Sequence, residues 1–139
     1  MTTITPYLLY ADCDAALAFL SRAFGFEETL RYTGEGGYVN HAEMRHGDAR
    51  IYMGDPGDEY RNPRERGGET VGVYVNVEGG VDELCERART AGAVIVEEPV
   101  DQEYGERRFT ARDPEGHVWY FAETIGDVAP ADWGATTPS

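Results

Sequence analysis

From Val71 to Val77 valine alternates with Gly72, Tyr74 and Asn76. That two-residue period marks a strand with one covered face. The run ITPYLLYA at residues 4–11 is its counterpart earlier in the chain. After each run the apolar period lengthens. In DCDAALAFLSRAFG, residues 12–25, Leu17, Leu20 and Phe24 fall at three and four spacing, which predicts a helix that Asp12 or Asp14 caps and Gly25 stops. In VDELCERARTAG, residues 81–92, Asp82 and Glu83 open and Arg87 and Arg89 close a second helix, the charge order that complements its dipole. Shorter strands follow at 27–33, 38–46 and 49–54, then at 93–98, 105–112 and 117–123. Gly36-Gly37, Gly47-Asp48 and Asp113-Pro114-Glu115-Gly116 mark the turns.

The two halves repeat at one offset, 74 − 7 = 67 residues. Tyr7 falls on Tyr74, Leu17 on Leu84, Gly25 on Gly92, Arg45 on Arg112 and Tyr52 on Trp119. The expected class is α+β: two tandem βαβββ modules, residues 4–54 and 70–123, forming a cupped mixed sheet with the helices outside. Residues 1–125 then make one domain. The polar, Pro- and Gly-rich stretch 55–69 reads as a flexible crossover, and 126–139 as an irregular tail docked through Trp133. Residues one offset apart should share a face. Ala42 and Met44, with Phe109 and Ala111, belong under the helices; His41, Glu43 and Arg45, with Arg108, Thr110 and Arg112, belong on the cup face. The four valines pack on the helix, turning Tyr74 and Asn76 toward the cup, where Thr5, Tyr7 and Leu9 join them. Trp119 is expected beneath a helix with Tyr52, and Tyr120 in the cup.

Charge narrows the partners. Twelve basic residues against 26 acidic ones give −14 over 139 residues, and every basic residue is Arg. Without Lys there is no Schiff-base or P-loop lysine, and the acidic excess argues against nucleic acid and anionic membranes. No apolar run reaches membrane-spanning length, and the first residues do not read as a secretory signal. Cys13 and Cys85 have no CxxC partner and suit two buried thiols in the cytoplasm.

The segments PYLLYADCDAALAFLSRAFGF, HAEMRHGDARIYMGD, VYVNVEGGVDELCERARTAGAVIVEEP and ARDPEGHVWYFAE, in that duplicated order, resemble the vicinal oxygen chelate superfamily. It includes glyoxalase I, extradiol dioxygenases and the bleomycin- and fosfomycin-resistance proteins. The resemblance implies a cupped pair of βαβββ modules, a homodimer and a ligand held in the cup. Metal-dependent members carry a His on the first and a Glu on the last strand of each module; here those positions hold Thr5, Gly72, Met53 and Tyr120. That set lacks converging metal donors, so neither metal nor cofactor is expected.

The expected ligand-binding residues are Tyr7, His41, Glu43, Tyr74, Asn76, Arg108 and Tyr120, an aromatic cup with a few charges. His41 and Glu43, two apart on one strand, form either a base with its orienter or a sheet pair in which Glu43 meets Arg108 or Arg112. His117 reads as serving the turn before it, and Glu123 as a rim residue. Arg45, Arg108 and Arg112 on one face leave the ligand's charge open. Two functions stand: a small-molecule binder like the drug-sequestering resistance proteins, holding an organic ligand without chemistry, or a metal-dependent lyase, isomerase or dioxygenase recruiting His41 and Glu43. A module filled by its own tyrosines and used for protein association is a third.

Overall fold

The computed structural model describes residues 1–139. In the first half, strand β1 (Tyr7–Leu9), helix α1 (Cys13–Phe24) and strands β2 (Glu27–Thr33), β3 (Val39–His46) and β4 (Ala49–Gly54) follow in order. A short helix α2 (Pro63–Arg66) leads to β5 (Val73–Asn76), α3 (Val81–Ala91), β6 (Val94–Asp101), β7 (Glu106–Arg112) and β8 (Val118–Thr124). Each module forms its own mixed four-stranded sheet, ordered β1-β4-β3-β2 and β5-β8-β7-β6, with the outer pair parallel and the rest antiparallel. The two sheets share no ladder, and residues of β1 and β5 line a common groove.

Helix α1 is built as its sequence suggests. The Asp12 side chain accepts from the Ala15 N–H at 3.0 Å, and Gly25 closes the helix at φ 82°, a left-handed conformation that favours glycine. Its buried stripe, including Leu17, Leu20, Ala23 and Phe24, enters one core shared by both modules. Phe24 lies 5.3 Å from the Trp119 ring and 4.7 Å from Phe121, so the first helix packs on the second sheet. Arg87 of α3 donates to the backbone oxygens of Ser21 and Arg22 at 2.9 and 2.8 Å, adding a second donor to the Ser21 carbonyl that Gly25 caps and a side-chain donor to the Arg22 carbonyl. The alternation holds on the central strands: Ala42, Met44, Phe109 and Ala111 are fully buried under the helices.

The turn after β7 is a docking device. Asp113, 4% exposed, accepts four hydrogen bonds: from the N–H groups of Glu115 and His117, the Tyr10 hydroxyl at 2.6 Å and the Trp119 indole at 3.1 Å. Burial first, and the Asp113 carboxylate next, raise the Tyr10 phenol well above its ordinary range. Glu115 accepts from the N–H groups of Ala11 and Asp12 at 2.7 and 2.9 Å, tying this turn to the entry of α1. His117 bonds the Leu9 carbonyl at 2.8 Å, a structural role beside the turn.

Several expectations are corrected. The crossover is not uniformly irregular: Asn62 accepts from the Glu65 N–H and caps α2, while its amide donates to Glu115. Val71 lies before β5 and is 75% exposed, so only Val73 and Val75 of the four valines are buried. Glu123 is no mere rim residue; its carboxylate accepts from the Val81 N–H at 3.3 Å and serves the start of α3, whose own cap position, Gly80, has no side chain. Trp133 does meet the body of the protein, 5.5 Å from the Tyr104 ring.

The largest correction concerns register. Glu43 pairs with Tyr52 in the first sheet and Thr110 with Tyr120 in the second. Glu43 and Thr110 are 67 apart, whereas Tyr52 and Tyr120 are 120 − 52 = 68 apart. The hairpin between Arg45 and Arg50 spans 46–49, and that between Arg112 and Val118 spans 113–117, one residue more. Beyond that turn the gapless alignment slips, and a one-residue slip exchanges the faces of a strand. Tyr52 therefore stands on the cup face and Met53 in the core, while Trp119 packs with Phe24, Phe26 and Phe121.

Candidate functional site

On the first sheet, Tyr7 of β1 sits opposite Tyr52 of β4, and Glu43 of β3 opposite the same Tyr52. His41 and Glu43 point to one face, as their spacing requires. The Tyr7 hydroxyl lies 3.0 Å from His41 Nδ1, and His41 Nε2 lies 2.8 Å from Glu43 Oε2. Glu43 thus meets His41, not an arginine. The Tyr52 ring stands edge-on to both neighbours, 6.2 Å from Tyr7 and 5.3 Å from His41. Gly54 allows a close approach of β4 to the Asn40 backbone oxygen, which a Cβ would meet at 2.4 Å, and the Tyr7 hydroxyl lies 3.0 Å from the same place.

The second sheet carries the same tyrosine pair around a different base. Tyr74 stacks on Tyr120 at 5.7 Å and 25°. Arg108, one offset from His41, lies over both rings, 5.4 Å from Tyr120 and 6.0 Å from Tyr74. Its guanidinium donates to the Tyr104 hydroxyl at 3.0 Å and approaches Glu97 at 3.5 Å. Tyr74 donates to Glu106; burial first, then that hydrogen bond, hold its phenol above its ordinary range. Asn76 lies apart from this stack, lining a groove of about 720 Å³ between the β1 and β5 edges with Tyr52 and Tyr74. A second groove of about 560 Å³ between the same edges is lined by Tyr7, Leu9 and Tyr60.

Three cup-face arginines do not make the face freely basic. Arg45 pairs with Glu27, Arg112 with Glu69, and Arg108 with Glu97. Acidic residues between 97 and 106 therefore brace this face: Glu97 and Glu106 hold Arg108 and Tyr74, while Asp101 pairs with Arg107. Tyr52, Tyr104 and Glu106 stand on this face but outside the expected ligand-binding set. Tyr52 was hidden by the slipped offset; Tyr104 and Glu106 sit in and beside the β6–β7 turn, where alternation gives no face.

The residues do not fit the divalent ion that the metal-dependent relatives hold. With the register corrected, the relevant positions carry Thr5, Gly72, Tyr52 and Tyr120, and no three His, Cys, Asp or Glu side chains converge elsewhere. Gly72 could not be a ligand position without rebuilding: a Cβ there would lie 2.7 Å from the Tyr120 ring. Both His41 nitrogens are already engaged.

Two βαβββ units with a shared helical core and a tyrosine pair on each sheet define a duplicated α+β protein. The family model described as Glyoxalase/Bleomycin resistance protein/Dioxygenase superfamily matches residues 3–121, and the chain belongs to that superfamily. An uncharacterized protein of Mycobacterium bovis is 30% identical over 130 residues, covering 90% of this chain and 85% of its own. The crystal structure of TioX from Micromonospora sp. ML1 is similar at 34% identity and TM-score 0.71, covering 92% of this chain and 98% of TioX. The fosfomycin resistance protein FosX from Listeria monocytogenes shares the fold at 19% identity and TM-score 0.65, over 88% of this chain and 93% of its own.

Proposed function

We propose that this protein binds a small planar aromatic molecule by non-covalent stacking, acting as a homodimer in the cytoplasm. One observation carries the reading: each sheet presents a tyrosine pair, Tyr7 with Tyr52 and Tyr74 with Tyr120, on the face away from the core. Tyr7 and Tyr74 remain 51% and 42% exposed, so the cup face is not filled by its own side chains. The Arg108 guanidinium over the second pair favours a ring bearing partial or full negative charge. The imidazole and carboxylate of the first module supply polar anchorage. Buried free thiols at Cys13 and Cys85 suit a reducing compartment.

The test is titration of acridine, 2-naphthol and 2-naphthoate into the protein, followed by intrinsic fluorescence and by thermal shift. At least one binds at micromolar to submillimolar concentration, and Tyr120→Ala weakens it by about five- to tenfold, the range of an aromatic pair. Absence of any saturable signal from all three would sink the reading.

A further inference from the structure

We propose that the Tyr7 hydroxyl is the polar anchor of the cup and that it selects aromatic ligands carrying a hydrogen-bond donor, a phenolic hydroxyl or ring N–H, over those carrying only acceptors. The inference rests on the aromatic-ligand reading and names the chemistry that the first module recognises.

The line Glu43–His41–Tyr7 fixes where each proton sits. An ionised carboxylate only accepts, so the 2.8 Å contact assigns the His41 proton to Nε2. A neutral imidazole protonated there has a lone pair at Nδ1. The Tyr7 hydroxyl, 3.0 Å away, has one proton and gives it to that lone pair. Its oxygen is then left with acceptor capacity alone, on a side chain that stays half exposed beside the Tyr52 ring. A ligand ring seated against Tyr52 meets an acceptor, and a donor on its edge completes the chain. A methoxy or carbonyl oxygen at the same place faces another lone pair. His41 and Glu43 act through Tyr7 and are positioning residues. Gly54 leaves the hydroxyl room, although a Cβ there would first meet the Asn40 backbone oxygen at 2.4 Å and the Tyr7 hydroxyl only at 3.0 Å.

Protonating His41 reverses the sense. Nδ1 then donates, the Tyr7 proton is released toward the ligand, and acceptors become the better partners. The titratable groups set against His41 are Glu43 on its own strand, Tyr7 on β1, Tyr52 on β4 and Tyr32, its cross-strand partner on β2.

The experiment compares 2-naphthol with 2-methoxynaphthalene, which share a ring system and differ in the donor. At a pH where the imidazole is neutral, naphthol binds about tenfold more tightly, the range of one well-made hydrogen bond. Tyr7→Phe brings the two affinities within about twofold, and Glu43→Gln, which no longer dictates the tautomer, reduces the preference. Nitrogen-15 spectra of the imidazole, recorded without ligand, give the readout that a merely structural role would not move: His41 resonates as the Nε2–H tautomer in the native protein and as a mixture in Glu43→Gln. An Nδ1–H tautomer in the native protein, or equal affinities for the two probes, overturns the proposal while leaving the aromatic cup standing. No binding of either probe overturns the proposal, and the aromatic-ligand reading falls with it only when acridine and 2-naphthoate fail as well.

Discussion

Asp113 ties the two modules together at one buried carboxylate. It is buried, and its four hydrogen bonds join the turn after β7 to Tyr10 of the first module and Trp119 of the second. Asp113→Ala leaves a buried phenol and a buried indole without partners, and is expected to cost roughly 3 kcal/mol, read from urea denaturation. The cysteines give a second prediction. Burial pushes the Cys13 thiol up to about 12 and Cys85 to about 11, so both stay protonated and react slowly with thiol reagents near neutral pH. Because the unfolded thiols ionise at their ordinary value and the folded ones resist, stability falls as pH rises from about 9 toward 11. Cys13→Ala should flatten that decline in denaturation midpoints. Among site residues, the His41 and Glu43 pair was legible because two residues on one strand share a face whatever the sheet does. Tyr52 was not, since its face depends on the length of a turn elsewhere.

At the scale of elements, α1 and α3 were readable to within a residue, because caps and apolar spacing are local, whereas the single turn of α2 was not. Asp12 and Gly25 do what their types allow. The partners that come from far along the chain were unreadable: Glu115 at the entry of α1, Glu123 at the start of α3 and Arg87 on the last carbonyls of α1. These are carboxylates at helix beginnings and a cation at a helix end, each placed where the dipole favours it. Glu115→Ala removes acceptors from Ala11, Asp12 and Asn62 together. It is expected to lower stability by about 1–2 kcal/mol and to raise amide exchange across the first turn of α1, where hydrogen-exchange mass spectrometry would locate it.

For the whole molecule, duplication sets the geometry and divergence sets the chemistry. The two modules keep one architecture, yet position 41 is a titratable imidazole held by a carboxylate and position 108 a permanent cation stacked on tyrosines. The charge of −14 bears on assembly. Two copies with that charge repel at low ionic strength, so a homodimer should tighten as salt screens them. Light scattering between 20 mM and 500 mM salt checks this; a monomer throughout counts against the dimer.

The added residue in the 113–117 turn has a practical corollary for anyone who would edit this chain. Removing one residue there shifts β8 by one position against β7, so that Trp119 takes the place of Val118 on the opposite face and the Tyr120 phenol enters a space shaped for a larger ring. The length of a single hairpin thus acts as the selector of which ring the second module displays. Libraries aimed at new ligands could vary that length as well as the side chains.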